Sequence, residues 1–473
     1  MHRSPLLLTQ SNNFMINTDI DFSQFSTKMQ AEKLPDVAIQ TFAHYYELLV
    51  TGETGMISEE TIEPVKSLPD ADALPADYDA LGAANLQKAV VIKLNGGLGT
   101  SMGLSKAKSL LQVKDGLSFL DIIAKQASAQ KMPVVLMNSF STQADSLAVL
   151  ANYPELNGDL DADSLQHKVP KIRQSDMVPV EYADNPALEW CPPGHGDIYT
   201  ALITSGMLEK LLAAGFEYAF VSNSDNLGAV VDNKILGYFV DHKLPFMMEV
   251  ADRTPADRKG GHLAKRSADG QLILRESAQC PDEDLDTFQN IDVHKYFNTN
   301  NLWINLSALK KAMEDREYVL GLPMIRNSKT VNPRDKNSDK VYQLETAMGS
   351  AIAVFEGAGA MRVPRTRFAP VKTTGDLLAV RSDGYNLSAE NRIVPNPERA
   401  LGQVVVKLDG DHYKLIDQME AAFPKGAPSL IEADTFTVNG KYRFGQGVIV
   451  KGSVTLTNDG DETVEIADGT VLE

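Results

Sequence analysis

Residues 88–109 read KAVVIKLNGGLGTSMGLSKAKS. The stretch begins with KAVVIKL, a compact run of β-branched residues, which is the pattern of a buried strand that leads into a loop. The loop contains four glycines and is followed by two lysines: Gly96, Gly97, Gly99, Gly103, Lys106 and Lys108. Because glycine has no Cβ, backbone N–H groups here can approach an anion closely, and the lysines supply positive charge. The stretch predicts a phosphate-binding loop at the edge of an α/β sheet.

The spacing of the glycines excludes two common phosphate-binding loops. Gly97, Gly99 and Gly103 give G-x-G-x-x-x-G, one residue longer than the dinucleotide fingerprint, and the G-x₄-G-K-[ST] pattern is absent. Neither a Rossmann dehydrogenase nor a P-loop NTPase fits. A glycine cluster alone is also compatible with a tight strand-to-helix turn that binds nothing. The lysines that follow favour a ligand.

Downstream of the loop, predicted helices and strands alternate, which favours a mostly parallel sheet covered by helices. Helices are predicted at 119–130, 143–150 and 198–214, and strands at 134–137, 218–221, 246–250, 272–274, 302–304 and 361–363. Asp197 is placed to cap the helix over 198–214, and Gly215 lies just beyond its end. The strand over 218–221 ends in SNSDN (222–226), at the edge where α/β sheets place their ligands.

The two ends of the chain differ from this central part in composition and in the pattern of apolar residues. Residues 1–87 are predicted as an N-terminal helical region, with a helix over 29–49 and a linker rich in Pro, Ala and Asp over 67–79. After a polar connector over 388–399, two apolar rows repeat at every sixth position: Val438, Phe444, Val450 and Leu456, and Tyr442, Val448 and Val454. This period suggests a parallel β-helix, although an ordinary β-meander could match it by chance.

The bulk composition restricts the partners and the compartment. A chain of 473 residues is long enough for two or three domains with a cleft between them. The net charge of −18 argues against nucleic acid or an anionic membrane as the main partner. Cys191 and Cys280 cannot form a disulfide framework, which favours a reducing compartment. The apolar run Leu6 to Leu8 is too short for a signal peptide, and no stretch approaches the ~20 apolar residues of a membrane span. We expect a cytoplasmic protein.

The loop LNGGLGTSMG (94–103) and its following lysine resemble the nucleotide-binding loop of eukaryotic-type UTP:glucose-1-phosphate uridylyltransferases, also called UDP-glucose pyrophosphorylases. The resemblance continues in four later blocks: PPGHGDIY (192–199), FVSNSDNLGA (220–229), FNTNNLWI (297–304) and VKTTGDLL (371–378). Five blocks in the same order are more specific than any single motif. The resemblance implies a Rossmann-like, GT-A-like α/β nucleotidyltransferase domain with a mixed sheet and flanking helices over 88–387, and a connector with a left-handed β-helix domain over 388–473.

The resemblance also implies where UTP binds. Nucleotide contacts are carried over to Leu94, Asn95, Gly96, Gly97, Lys108, Gln166, Gly194, Asp225 and Lys372. Lys108 corresponds to the lysine that contacts the triphosphate, and Gln166 to the glutamine whose amide pairs with the donor and acceptor edge of uracil. The family usually reads GCKGPKS where this chain has GLSKAKS (103–109), so the role of Lys106 stays open.

The sugar-phosphate contacts implied by the resemblance are spread over several blocks. They are Gly96, Gly97, His195, Asn223, Ser224, Asp225, Gly260, Glu276, Asn298 and Asn300. Amides and carboxylates can bind sugar hydroxyls in fixed directions. His195 lies just before a predicted helix, so an anion could bind at the helix N-terminus. A lone histidine or a loop asparagine is more often structural, and only the surrounding blocks favour a binding role.

The implied chemistry is Mg²⁺-assisted uridylyl transfer from UTP to glucose 1-phosphate. Asp225 is the predicted metal ligand, since Mg²⁺ commonly takes one or two carboxylates and fills its other positions with water and phosphate oxygens. Lys108 and Lys372 are the predicted catalytic residues, in an in-line attack on the α-phosphate without a covalent intermediate. Two alternatives are a uridylyltransferase for N-acetylhexosamine 1-phosphate or several sugars, and a non-catalytic nucleotide-sugar sensor. We expect a monomer or a small homo-oligomer.

Overall fold

The computed structural model describes residues 21–473, so the run Leu6 to Leu8 and the start of the predicted region 1–87 lie outside the described residues. The helices, numbered in chain order, are α1 (Ser23–Ala31), α2 (Asp36–Val50), α3 (Asp77–Asn85), α4 (Phe119–Gln130), α5 (Gln143–Leu150), α6 (Ile198–Thr204), α7 (Met207–Ala213), α8 (Asn233–Asp241), α9 (Leu285–Phe288), α10 (Leu306–Glu314), α11 (Thr374–Arg381), α12 (Gly410–Tyr413) and α13 (Ile416–Ala422). Within the same range, no helix combines the length and apolar character that a membrane span requires.

The strands, also in chain order, are β1 (Ile62–Pro64), β2 (Ala89–Asn95), β3 (Gln112–Lys114), β4 (Leu117–Ser118), β5 (Val134–Asn138), β6 (Asp163–Leu165), β7 (Val169–Pro170), β8 (Ile172–Arg173), β9 (Trp190–Cys191), β10 (Tyr218–Asn223), β11 (Phe246–Asp252), β12 (His262–Arg266), β13 (Leu272–Arg275), β14 (Tyr296–Asn305), β15 (Met324–Thr330), β16 (Lys340–Thr346), β17 (Gly359–Arg362), β18 (Tyr385–Leu387), β19 (Ile393–Pro395), β20 (Val405–Leu408), β21 (Ser429–Asn439), β22 (Tyr442–Phe444), β23 (Ile449–Thr457), β24 (Val464–Ile466) and β25 (Val471–Leu472).

A central sheet organises the fold, in the order β1-β12-β14-β10-β2-β5-β6, with β11, β13 and β17 attached to it. Strands β10, β2, β5 and β6 are parallel neighbours, whereas β14 runs antiparallel to both β10 and β11. The mixed sheet implied by the resemblance is therefore confirmed. The prediction of a mostly parallel sheet was wrong, because β12 and β14 pair antiparallel with their neighbours.

Strand β2 is buried on both faces, as its apolar run predicted. Val91 packs into one core cluster, and Val90 and Ile92 pack into another, because successive side chains of a strand point to opposite faces. Helices and loops cover both faces of the sheet. A polar side chain on this strand therefore needs a hydrogen-bond partner within the protein. The predicted strand thus lies inside the central sheet, which is the middle layer of the fold.

Two predicted helices are each divided in the structure. The helix predicted over 29–49 is α1 and α2, with Pro35 at the N-cap of α2; a proline restricts the residue before it and cannot sit inside a helix. The helix predicted over 198–214 is α6 and α7, which are separated by Gly206 in a left-handed conformation (φ 71°). Gly215 lies beyond the end of α7 with φ 89°, as predicted.

Asp197 precedes α6, but the prediction that its side chain caps this helix was wrong. Its carboxylate instead accepts hydrogen bonds from the backbone N–H of His167 at 2.7 Å and from His167 Nδ1 at 2.9 Å. The neighbouring imidazole therefore takes the place of the helix N–H groups. This contact ties the start of α6 to the segment that follows β6.

The segment between α2 and β2 packs against the central sheet. Strand β1 pairs with β12, and Asp70 forms a β-bridge with Arg362. Helix α3 begins at Asp77, inside the stretch predicted as a linker, and packs against α8 where Gly82 and Gly237 allow close approach. The stretch over 67–79 is thus attached to the sheet at Asp70 and to α8 through the start of α3.

The C-terminal part is built from parallel strands. The pairs β20–β21, β21–β23, β23–β25 and β22–β24 are all parallel, whereas a β-meander is antiparallel. Val438 pairs with Leu456 and Phe436 pairs with Val454, an offset of 18 residues, or three periods of six. Residues of the two predicted apolar rows point inward and are buried, among them Val438, Phe444, Val448 and Val450.

Candidate active site

The ends of the parallel strands open into a cavity of about 340 Å³. Strand register brings Leu94 of β2 between Asn223 of β10 and Met137 of β5. Most of the residues predicted for the nucleotide and the sugar phosphate line this cavity: Leu94, Gly96, Gly97, Lys108, Gln166, Gly194, His195, Asn223, Ser224 and Asp225. Motifs that are up to 131 residues apart in the chain (Leu94 and Asp225) therefore meet at one edge of the sheet.

The glycines of the loop differ in backbone conformation and in what surrounds them. Gly99 and Gly103 adopt left-handed conformations, with φ of 55° and 78°. A Cβ on Gly96 would lie 2.7 Å from Gln166 Oε1, whereas a Cβ on Gly97 would meet no described atom of the chain within 4 Å. Gly97 is exposed and lines the cavity. Its bare backbone therefore faces space in which a ligand can lie.

Asn95 does not face the cavity. Its side chain is buried, and Nδ2 donates to Asn138 Oδ1 at 2.7 Å and to Ser146 Oγ at 2.8 Å. These bonds fasten the end of β2 to β5 and α5. Of the residues predicted around the nucleotide, Asn95 is thus placed beneath the loop, where it holds the loop in position.

Lys108 and Asp225 form an ion pair inside the cavity. Lys108 Nζ lies 2.7 Å from Asp225 Oδ2, and the two side chains are 17% and 20% exposed. Asp225 is the only carboxylate among the described residues that line the cavity. Over residues 21–473, no group of three or more His, Cys, Asp or Glu side chains could hold a metal ion by itself. The pair therefore combines the predicted triphosphate-binding cation with the predicted metal ligand.

His195 is held as a neutral hydrogen-bond donor. Its Nδ1 accepts a hydrogen bond from the backbone N–H of Met348 at 3.0 Å, so its proton is carried on Nε2. Burial lowers the pKa of His195 to about 4, so the ring is uncharged near pH 7. The flanking Gly194 and Gly196 pack so closely on Thr346 that a Cβ on either would clash with it.

Gln166 bridges the glycine loop and the segment that carries His195. Its Nε2 donates to the carbonyl of Gly194 at 3.0 Å, and its Oε1 lies beside Gly96. The backbone N–H of Gln166 donates to Asn138 O at 2.7 Å, which continues the strand edge beyond β6. The amide is therefore fixed at the rim of the cavity.

The other predicted sugar contacts lie beside the cavity, on the antiparallel half of the sheet. Asn298 Nδ2 donates to Asn300 Oδ1 at 2.9 Å, and Asn300 has a left-handed backbone (φ 58°). Burial raises the pKa of Glu276, which a hydrogen bond from Asn298 opposes. Gly260 is packed against the ring of Phe297. The pairing of β14 with β10 ends at Leu302 and Val221, and a β-bulge interrupts β14 between Asn298 and Asn301.

Lys372 lies outside the lining of the cavity but close to it along the backbone. It is exposed, and its Nζ is 5.5 Å from the centre of the Phe368 ring. The preceding residue, Val371, donates its backbone N–H to the carbonyl of Asp225 at 3.3 Å. The segment that carries Lys372 is thus attached to the loop that carries the predicted metal ligand.

Several residues of the site were missed in the sequence. Met137 and Pro192 line the cavity; each lies at the end of a recognised element, which was the available signal. Lys93 is buried behind the cavity, where its Nζ donates to Ser222 Oγ at 2.6 Å and to Ala229 O at 2.9 Å. Burial, together with the nearby Arg367, lowers the pKa of Lys93 to about 7. A lysine within an apolar strand was its signal.

Comparison with known proteins agrees with this geometry. The family model described as UTP–glucose-1-phosphate uridylyltransferase matches residues 39–451. The chain is 42% identical to the UTP–glucose-1-phosphate uridylyltransferase of Solanum tuberosum, over 88% of this chain and 85% of that protein. It is 41% identical to that of Saccharomyces cerevisiae, over 82% of this chain and 78% of that protein.

Solved structures give the same result. A mutant UDP-glucose pyrophosphorylase from Leishmania major aligns with a TM-score of 0.89 and 45% identity, covering 96% of this chain and 98% of that one. A second mutant of that protein, in complex with UDP-glucose, aligns with a TM-score of 0.87 and 45% identity, covering 95% and 97%. The family match extends over most of the chain, and this chain belongs to the UTP–glucose-1-phosphate uridylyltransferase family.

Proposed function

We propose that the cavity at the ends of β2, β5 and β10 is where this enzyme transfers the uridylyl group of UTP to glucose 1-phosphate, giving UDP-glucose and pyrophosphate. The reaction is that of its family. The location is supported by one observation above all: the bare backbone of Gly97, the Lys108 cation, the His195 donor and the Asp225 carboxylate all line one cavity. These groups are complementary to a nucleoside triphosphate and its metal ion.

The uracil is assigned to the rim formed by Leu94, Gln166 and Gly194, and the phosphates to Gly96, Gly97 and Lys108. An amide can satisfy both a donor and an acceptor of a pyrimidine edge, and Gln166 is already fixed at this rim. The neutral His195 offers its Nε2–H to a phosphate oxygen without adding charge. Asn95 contributes to this arrangement by holding the loop.

The sugar phosphate is assigned to the neighbouring side of the cavity. Asn223, Ser224 and Asp225 line that side, and Asn300 lies on β14, the strand that pairs with β10. Asn298, Glu276 and Gly260 extend the same side and supply amide, carboxyl and backbone groups for sugar hydroxyls. The two substrates then meet over Asp225.

The donor groups fit Mg²⁺ as the cofactor. Mg²⁺ prefers hard oxygen ligands and is usually held by one or two carboxylates together with substrate phosphates, and Asp225 is the carboxylate that lines the cavity. Asp225 would hold the ion, with phosphate oxygens and water as the remaining ligands. When bound, Mg²⁺ would neutralise part of the phosphate charge.

The protein's own contribution to catalysis is positioning and charge stabilisation. The loop and the Asn223 side of the cavity hold the phosphate oxygen of glucose 1-phosphate in line with the α-phosphorus of UTP, and no covalent enzyme intermediate is needed. Lys108 is assigned to the triphosphate. Lys372 is assigned to the charge that develops at the α-phosphate in the transition state, which is where a fixed cation stabilises most.

Substitution of Lys372 by alanine tests this assignment. Since Lys372 is exposed, the fold should persist, whereas kcat should fall by about 10²-fold or more. Lys407→Ala removes another exposed lysine and should retain full activity. A coupled assay of pyrophosphate release from UTP and glucose 1-phosphate measures both variants. Near-normal turnover in Lys372→Ala would contradict the role of this lysine.

The same assay separates the alternative functions. N-acetylhexosamine 1-phosphates and other sugar 1-phosphates should support slower release of pyrophosphate than glucose 1-phosphate does. A nucleotide-sugar sensor would bind UDP-glucose and release no pyrophosphate from the substrates. Preference for an N-acetylated sugar would move the assignment to the related enzymes that use it.

We further propose three parts of the chain: an N-terminal region over 1–87, a catalytic domain over 88–387, and a connector with a left-handed parallel β-helix over 388–473. The β-helix is supported by parallel pairing and by the 18-residue offset between β21 and β23. A reducing, cytoplasmic location is supported by two free, buried cysteines, Cys191 and Cys280. A monomer or small homo-oligomer is the proposed assembly.

A further inference from the structure

Asn226 is a buried asparagine that the proposed reaction does not use. It directly follows Asp225, and its residue is only 1% exposed. Its Nδ2 donates to Arg367 O at 3.0 Å and to Asn301 Oδ1 at 3.3 Å. Its Oδ1 accepts from the backbone N–H of Ala369 at 3.0 Å and of Gly228 at 3.2 Å. The amide is therefore fully occupied, and two of its bonds reach the segment over 367–371.

That segment connects two ordered pieces and lacks a strand or helix of its own between Arg367 and Thr374. It runs near the surface, where Ala369 is exposed. Asn226 contacts it from below and forms a β-bridge with Pro370, and the carbonyl of Asp225 accepts from Val371 N–H. The path of the backbone into Lys372 is thus set by Asp225 and Asn226.

Asn226 donates hydrogen bonds to Arg367 and Asn301, which belong to a buried network of charged and polar groups. Arg367 donates to both oxygens of Glu249, at 2.9 Å and 2.6 Å. Asn301 Nδ2 and Trp303 Nε1 also donate to that carboxylate, at 3.0 Å and 2.9 Å. Satisfied buried networks of this kind are rigid and specify one arrangement. Asn226 is therefore a stiff link between the sheet and the segment that carries Lys372.

We propose that Asn226 is a positioning residue, which sets the position of Lys372 relative to Asp225 and hence to the α-phosphate of bound UTP. The proposal rests on the catalytic role of Lys372 proposed above. An amide is required because it donates to Arg367 O and accepts from Ala369 N–H at the same time. Aspartate keeps the acceptor and loses the donor, and alanine loses both.

Two variants, Asn226→Ala and Asn226→Asp, test the proposal. Displacement of a catalytic group by about 1 Å can cost on the order of 10²-fold in rate, so kcat should fall by about that factor. The Kd for UTP, measured by calorimetry, should change little, because Asn226 does not line the cavity. Thermal unfolding shows whether each variant is folded. Aspartate has the same shape, so it carries the test if the alanine variant does not fold.

Asn157→Ala is the matched control. The Asn157 amide also binds backbone through both its oxygen and its nitrogen, donating to Val134 O at 2.8 Å and accepting from Val134 N–H at 3.0 Å. Val134 is at the end of β5 that is farther from the cavity. This variant should lose stability and keep kcat. A comparable loss of kcat in Asn157→Ala would mean that general loosening of the fold explains the Asn226 variants.

A double-mutant cycle with Lys372 decides the matter. If Asn226 acts through Lys372, then Asn226→Ala should lower kcat when Lys372 is present and cause no further loss of kcat in the Lys372→Ala background. Losses that multiply, or a wild-type kcat in both Asn226 variants, would overturn the proposal. Near-normal turnover of Lys372→Ala alone would instead refute the proposed catalytic role of the lysine, so the two failures are distinguishable.

Discussion

Gly97 differs from the other glycines of the loop because neither its backbone conformation nor a neighbouring residue would restrict a side chain there. Gly96 faces Gln166, and Gly99 and Gly103 need left-handed backbone. At Gly97, a Cβ would project into open space, and the residue is not in a left-handed conformation. Nothing in the described chain therefore demands glycine there. A requirement for glycine would arise only from a ligand that lies against the backbone, as the proposed function assigns to the phosphates of UTP.

Gly97→Ala should therefore weaken UTP binding without lowering stability. The added methyl group costs nothing in the free protein but occupies the space assigned to the phosphates, so the Kd for UTP should rise by about tenfold or more, which corresponds to about 1.4 kcal/mol. Calorimetry with UTP and a thermal unfolding curve measure the two quantities. Gly402→Ala, where the Cβ also meets no described atom within 4 Å, should leave both unchanged. An unaltered Kd in Gly97→Ala would place the phosphates elsewhere.

The Asp225 carboxylate is paired with Lys108, so the two charges balance each other in the cavity. Asp225→Asn should raise the Mn²⁺ concentration needed for half-maximal binding in the presence of UTP by more than about tenfold, because a charged oxygen ligand is lost. Electron paramagnetic resonance of Mn²⁺ measures this binding apart from activity. Asp145→Asn alters an exposed carboxylate near Lys106 and should have no effect. An unchanged Mn²⁺ titration for Asp225→Asn would exclude it as a ligand.

At the scale of elements, the strands buried on both faces were the easiest to predict. The apolar runs of β2, β5 and β10 and the carboxyl-edge position of Asp225 follow from composition and order alone. Strand direction does not, because an apolar run has the same composition in either orientation, and β14 contains a polar run over 298–301 that is more typical of a loop. The break at Gly206 was missed because apolar spacing continues across it.

The site shows the same division. The glycine loop and the GHG segment could be placed in one site because the resemblance assigns both to the nucleotide. The order of elements adds only that the loop follows a predicted strand and that GHG precedes a predicted helix. The position of Lys372 depends on hydrogen bonds that Asp225 and Asn226 accept from a segment without regular structure, and no periodicity in the sequence indicates such bonds. Burial of Asn95 also depends on its partners Asn138 and Ser146, which lie on other elements.

The C-terminal strands offer a prediction at the same scale. Phe436 on β21 is fully buried and packs edge-on against Phe444 of β22, with ring centres 5.7 Å apart. Phe436→Ala should lower the free energy of unfolding of these strands by about 3 to 5 kcal/mol. Hydrogen exchange of the β21 and β23 amides measures this local stability. Val464→Ala, at a position that is 41% exposed, should leave the protection of those amides unchanged. Equal effects of the two variants would contradict the inward orientation of Phe436.

At the scale of the whole molecule, the residues around Lys372 and the C-terminal strands share one core. A single cluster includes Val371 and Leu378 beside Lys372 as well as Phe436 and Val450 of the C-terminal strands. Thr374 at the start of α11 also donates its hydroxyl to Tyr413 O at 2.6 Å. The helix that follows Lys372 is therefore packed against the C-terminal part. Lys372 is thus anchored through the helix that follows it as well as through the residues before it, which Asn226 contacts.

Buried histidines should make the whole molecule sensitive to acid. Burial lowers the pKa of His44, His195, His262 and His294; for the last two, which stack at 3.8 Å, the nearby Arg253 and Arg275 lower it further. Between a lowered folded pKa and the ordinary value of 6.5, the unfolded chain binds more protons than the folded one. The stabilisation is therefore complete above about pH 6.5 and is lost as the pH falls towards 4, the folded value for His195.

The free energy of unfolding, followed by urea titration, should accordingly decline steeply between about pH 6.5 and 5, where the ordinary carboxyl groups are still ionised. Burial raises the pKa of Glu276 and Glu345, so these two groups act in the opposite direction, but they are fewer than the four histidines. His262→Asn removes one buried titrating group and should flatten this decline. His412→Asn, which alters a partly exposed histidine, should leave it unchanged. A stability that is constant down to about pH 5 would show that the buried imidazoles do not govern the acid response.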